Sequence, residues 1–280
     1  MIKALFFDLD GTLLSSKREI LPMTREALGL CREKGIKLFI ATARAPFLER
    51  LLSWDADTLA LFDGGVFYNG GCVVLDGTCR STLLPADLVY SIVRFVCQCE
   101  GMQLTMDLEN ETRSFRYRFG AQDPDGNASQ NPYSANAEGD DAAAALSPAQ
   151  IAEMGIIKIL LWHSNMKDTV SDVFLGAFAD LCGDRAQLYL TDQERLIQIM
   201  AHAATKVNGI EKIRLALGLE KGEIAVFGDD IPDMEMLATY EHSVAMDNGD
   251  AQVKAAAKHV VPDNDSEGIH YALHNVFKLI

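Results

Sequence analysis

The stretch "IKALFFDLDG" constrains this chain more than any other. The six residues Ile2 to Phe7 are almost uninterruptedly apolar, and such a run suits a strand covered on both faces, the condition of a parallel sheet flanked by helices. It then ends on Asp8 and Asp10, two carboxylates two positions apart, directly before Gly11. One acid at a strand end is ordinary turn chemistry. Two that repel each other require compensation.

The same rhythm returns twice. "MTREALGLCREKG" predicts a helix capped by Thr24 and stopped at Gly35, followed by a second buried strand, "IKLFIATAR". Strand, helix, strand with short links is a right-handed crossover, so both strands lie parallel in one sheet. "LALFDGGVFYNGGCVVLDG" predicts short Gly-punctuated strands and a hairpin beside it. From "ATKVNGIEKIRLAL" to "FGDDIPDMEML", "SVAMDN" and "DAQVKAAAKH" the helix and buried-strand alternation resumes.

Between these halves the pattern changes. A helix from about Ala86, the segments "MQLTMD", "SFRYRFG" and "GIIKILLWH", a helix over 166–181, and "RAQLYLTD" and "RLIQIMAH" predict a smaller α+β domain. It carries a polar stretch from Ala121 to about Ala142 whose composition is that of a long loop. In "RSFRYRF", alternation sets Phe115, Tyr117 and Phe119 on one face and Arg116 and Arg118 on the other. The expected organisation is an α/β, Rossmann-like core over 1–84 and 200–280 interrupted by a cap over 85–199.

Charge and composition bound the function. A formal charge of −15 without a Lys/Arg stripe argues against nucleic acid, and no apolar run reaches spanning length, so a cytoplasmic protein is expected. With 49% apolar residues the 280-residue chain can build a real core. The six cysteines show no zinc spacing and are expected to be reduced thiols.

Polar residues of specific kinds follow the buried strands: Asp8 and Asp10, Thr42, then Asp229, Asp230 and Asp233, with Lys206 heading a helix after the insertion. Ligands collect at the carboxyl ends of strands in open α/β sheets, so these groups are expected to converge. Taken singly, each acid also suits a turn or a helix cap. Taken together, their repulsion calls for protonation or a cation, and hard carboxylate oxygens without His or Cys favour Mg²⁺.

"DLDGTLL", "IATAR", Lys206 in "ATKVNGIEKI" and "FGDDIPDMEML" resemble the four motifs of the haloacid dehalogenase superfamily of phosphatases, and the insertion after the "NGG" hairpin resembles the cap of its Cof-type branch. The resemblance implies that Asp8 attacks phosphorus to give an aspartyl-phosphate, and that Asp10 acts first as acid and then as base. It implies Mg²⁺ held by Asp8, Asp229 and the Asp10 backbone carbonyl, with Asp233 in support, and a phosphoryl group held by Thr42, the following amide of Ala43, and Lys206. Gly11, Thr12, Arg44 and Asp230 would support the loops. The implied substrate is a small phosphorylated metabolite, such as a sugar phosphate. A phosphosugar mutase and a non-catalytic regulatory or binding protein on the same fold remain as alternatives, and nothing here speaks to oligomeric state.

Three positions depart from the family pattern. Pro232 replaces an Asn and removes a side-chain hydrogen-bonding group, Ala43 replaces a Gly, and Asp247, also in place of a Gly, either adds a negative charge close to the site or, as is favoured, serves as a turn residue or cap of the next helix.

Overall fold

A computed structural model describes the chain except for residues 53, 97, 100, 110–113, 118–148, 150–152, 164, 166–168 and 192, with backbone alone at 114–117. The polar stretch around 121–142, and the facing of Phe115, Arg116, Tyr117, Arg118 and Phe119, lie outside the described residues or side chains. Packing divides the chain into two units, Met1–Arg80 with Thr205–Ile280, and Ser81–Ala204.

Strands β1 (Ala4–Phe7), β2 (Lys37–Ala41), β3 (Gly64–Phe67), β4 (Cys72–Leu75) and β5 (Thr78–Ser81) open the chain. The unit Ser81–Ala204 holds β6 (Met102–Leu108), β7 (Ser114–Tyr117), β8 (Ile156–His163), β9 (Ala186–Thr191) and β10 (Leu196–Ala201). Strands β11 (Ile224–Gly228), β12 (His242–Met246) and β13 (His259–Val261) return to the first sheet.

That first sheet has the order β13-β12-β11-β1-β2-β3-β4-β5, parallel from β13 to β3 and antiparallel where β3 meets β4. Strand β1 is central, and Ala4 to Phe7 are all fully buried, as the unbroken apolar run requires. Because successive side chains point to opposite faces, Phe6 stacks on Phe39 at 4.8 Å and Phe7 on Phe227 at 4.7 Å, on different faces. Each such ring contributes about 1.5–3 kcal/mol by burial, and a one-residue slip would put every one on the wrong face.

The second unit is a five-stranded antiparallel sheet, β7-β6-β8-β10-β9. Helices Ala86–Val96 and Asp172–Cys182 bury Leu88, Ile92, Val93 and Phe178 against Leu104, Ile159, Leu161 and Ile199. Among the described residues no helix is long and apolar enough to cross a membrane.

Three expectations are corrected. The first helix begins at Pro22, not after Thr24, and Thr24 is no cap: it lies inside the first turn, and its N–H and hydroxyl both donate to Glu267 Oε2, at 2.8 and 2.7 Å. The helix expected over 166–181 runs from Asp172 to Cys182, because the Ser171 hydroxyl accepts from Phe174 N–H and sets its start. Cys72 and Cys79 are joined as a disulfide across the β4–β5 hairpin, whereas Cys31, Cys99 and Cys182 are free thiols.

Candidate active site

Six strands of the first sheet run parallel, so their carboxyl ends share one edge. Asp8 follows β1, Thr42 follows β2, Tyr68–Gly70 follow β3, Asp229 follows β11 and Asn248 lies just after β12. Lys206 reaches this edge as the first residue of the helix Lys206–Leu217, whose start is capped by the Thr205 hydroxyl accepting from Asn208 N–H at 3.1 Å.

The structure brings most of the expected residues together. Lys206 Nζ lies 2.6 Å from Asp8 Oδ1 and 2.6 Å from Asp233 Oδ1, and all three side chains are buried. Thr12 Oγ1 donates to Asp229 Oδ1 at 2.5 Å. The second oxygen of Asp233 accepts the N–H groups of Asp229 and Asp230, at 3.0 and 3.1 Å. That turn, Ile231–Asp233, contains Pro232; the Asp233 carboxylate and the Asp230 side chain, which accepts from Ile231 N–H at 2.8 Å, brace it without a side chain at 232.

Carboxylate oxygens of Asp8, Asp229 and Asp233 come within 4.8 Å of one another. Burial pushes the Asp8 carboxyl well above its usual range; Lys206 opposes this, and Asp233 and Asp229 add to it. Asp229 is pushed up to about 7, again chiefly by burial, with the Thr12 hydrogen bond opposing and Asp233 adding. Burial works against the Lys206 ammonium as well, but Asp233 and Asp8 outweigh it and hold the group charged. One ammonium therefore faces three carboxylates, an excess of negative charge in an oxygen-only donor set. Those residues fit Mg²⁺.

Asp10 is placed differently. Its half-exposed carboxylate is gripped through both oxygens by Arg44, Nε to Oδ2 at 2.7 Å and Nη2 to Oδ1 at 2.6 Å, outside the three-acid group. This pairing raises the guanidinium pKa further. Arg44 N–H donates to Thr42 Oγ1 at 3.2 Å, so the loops after β1 and β2, with half-buried Ala43 between Thr42 and Arg44, are tied together. Gly11 makes the turn between Asp10 and Thr12 with φ at +84°, where residues with a Cβ are strained.

Asn248 escaped the sequence reading. Its Nδ2 donates to Gly11 O at 2.8 Å, bracing the loop from across the sheet. A signal was available, since Asn248 is one more polar residue close behind a buried strand. Asp247 does not cap the following helix: Asp250 does, accepting from Gln252 N–H at 2.9 Å, and Asp247 pairs instead with Lys254 at 3.2 Å.

The sequence pattern of the haloacid dehalogenase-like hydrolases matches residues 5–273. Phosphoglycolate phosphatase 1 of Saccharolobus solfataricus is 23% identical over 99% of this chain and 97% of its own length. The chloroplastic endoribonuclease YBEY of Arabidopsis thaliana is 28% identical over 96% of this chain, but the chain spans only 46% of that longer protein. Among solved structures, the subclass IIB sugar phosphatase BT4131 superposes with a TM-score of 0.77 at 24% identity, covering 99% of this chain and 100% of that one, a likeness of fold.

Proposed function

The chain belongs to the haloacid dehalogenase-like hydrolases, and from that premise we propose that it is a Mg²⁺-dependent phosphomonoesterase acting on a small phosphorylated metabolite. The observation that carries this reading is the buried Asp8 at the end of β1, bonded to Lys206 and within 4.8 Å of the Asp229 and Asp233 oxygens. A carboxylate so placed has a charge partner and a metal-compatible neighbourhood.

Asp8 Oδ attacks the phosphorus; an O–P bond to Asp8 forms as the ester P–O bond breaks, giving an aspartyl-phosphate. Asp10 gives its proton to the departing alkoxide. Water then attacks the phosphorus, Asp10 takes a proton from that water, and inorganic phosphate leaves with Asp8 regenerated. For this work Asp10 must loosen from Arg44, which grips both of its oxygens, and enter the first step carrying the proton that it gives away. Thr42, the Ala43 amide and Lys206 hold the phosphoryl oxygens, and this positioning supplies most of the acceleration. The Asp8 and Asp229 carboxylates and the Asp10 carbonyl would hold Mg²⁺, with Asp233 in support; when bound, the ion neutralises charge on the phosphoryl group and the acids.

The unit Ser81–Ala204 is inserted in the sequence between the halves of the first, where the family resemblance expects a cap domain. A sugar phosphate is the favoured substrate class, supported by the sugar phosphatase among the similar structures, and the phosphoglycolate phosphatase among the relatives supports a small phosphorylated metabolite more broadly. The test is hydrolysis of an aryl phosphate with Mg²⁺: turnover is expected to release inorganic phosphate, to stop with a chelator, and to fall about 10³-fold or more in Asp8→Asn. Full activity in that variant or indifference to the chelator would overturn the reading; so would isomerised ester without phosphate release across a panel of sugar phosphates, in favour of a mutase.

A further inference from the structure

The Tyr68–Gly70 turn sits between the two elements that, in the proposed reaction, hold the phosphoryl group. On one flank, Asn69 N–H donates to Thr42 O at 2.9 Å and Tyr68 N–H to Arg44 O at 3.0 Å. On the other, Gly70 lies so close to Thr205, the cap of the Lys206 helix, that a Cβ there would stand 2.2 Å from Thr205 O. Tyr68 and Asn69 hold the turn with φ at 51° and 52°, a left-handed pair uncommon outside glycine. The Asn69 side chain is fully buried, and neither its Oδ1 nor its Nδ2 has a hydrogen-bond partner among the described residues. The backbone accounts for Asn or Gly at this position. It does not account for an unpaired amide in the interior, which glycine would avoid and which destabilises the fold that carries it.

We propose that Asn69 is a positioning residue for phosphoryl binding, its carboxamide locking the Thr42 loop to the start of the Lys206 helix when a phosphoryl group sits between them. This rests on the phosphatase reading for the identity of the ligand. A small inward shift of either flank around the phosphoryl oxygens brings backbone groups within reach of the carboxamide. The penalty of the unpaired amide is then relieved only in the loaded site, which couples phosphoryl affinity to residue 69.

Asn69→Gly keeps the left-handed backbone and deletes the carboxamide; Asn69→Asp keeps its shape and the backbone tolerance while removing the N–H donors. Inorganic phosphate with Mg²⁺ is the probe, followed by calorimetry beside turnover of an aryl phosphate. Both variants are expected to bind phosphate about tenfold or more weakly, with KM raised by a similar factor. Without phosphate, Asn69→Gly should melt within about 2 °C of the unaltered protein or higher. Unchanged phosphate affinity in both variants, or a fall in melting temperature with affinity intact, would overturn the proposal and leave Asn69 a packing residue. If the unaltered protein binds phosphate but hydrolyses no ester, the phosphatase reading fails while the binding comparison still decides the role of Asn69. If it binds no phosphate, both fail.

Discussion

A methyl group on Gly11 would stand 2.2 Å from Asp229 Oδ2, on a backbone already at φ +84°. Gly11→Ala therefore carries about 1–2 kcal/mol of left-handed strain and also displaces the carboxylate that Thr12 holds. A shift of that size at a reacting centre is expected to lower kcat/KM about 100-fold, with circular dichroism unchanged; near-normal turnover would show that Asp229 need not stay where Thr12 puts it. Individual residues were readable where their chemistry was out of place. Asp8, Thr42, Lys206, Asp229 and Asp233 stood out because a carboxylate, hydroxyl or ammonium next to a buried run demands a partner. The partners themselves were hidden: Arg44 meets Asp10 from 34 positions away, and Asn248 meets the Gly11 carbonyl from 237.

Helix starts show the same division at the scale of elements. The helix Pro22–Glu33 has no side-chain cap of its own at Leu21; Glu267 supplies one, accepting from Met23 N–H at 3.0 Å, Thr24 N–H at 2.8 Å and the Thr24 hydroxyl at 2.7 Å. Removing it leaves first-turn N–H groups and a buried hydroxyl unpaired. Glu267→Ala is expected to destabilise the protein by about 2 kcal/mol, read from the denaturant midpoint, while KM for an aryl phosphate stays as it was. Apolar periodicity located that helix because its buried face, Ala27, Leu28 and Cys31, is written locally. It misplaced the start because the cap arrives from the other end of the chain. The helix Asp172–Cys182 fails in the opposite way: its cap, Ser171, is local, and the apolar pattern alone suggested an earlier start.

For the whole molecule, the three-acid cluster makes stability depend on pH and on metal. Asp229 is held up to about 7 against an ordinary value of 3.8, and Asp8 is shifted in the same direction. From about pH 4 to about pH 7 the folded protein thus retains protons that the unfolded chain has released, so the metal-free protein loses stability as pH rises through that window. The upward shift of Lys206 acts only above its ordinary 10.5 and does not offset this loss. Mg²⁺ competes with those protons, so the gain in melting temperature on replacing a chelator with Mg²⁺ should grow from about pH 5 to about pH 8. A gain that ignores pH would mean that the cluster does not hold the ion. The sequence by itself determined the parallel core, the interruption by a second unit and the residues at the strand ends, because burial on two faces and acids beside apolar runs leave marks within a few positions of the chain. Only the tertiary structure decided that Arg44 holds Asp10, that Lys206 lies between Asp8 and Asp233, and that the amide of Asn69 finds no partner among the described residues. Those are contacts between loops brought together by sheet order, and sheet order joins β1 to β11 across more than two hundred residues.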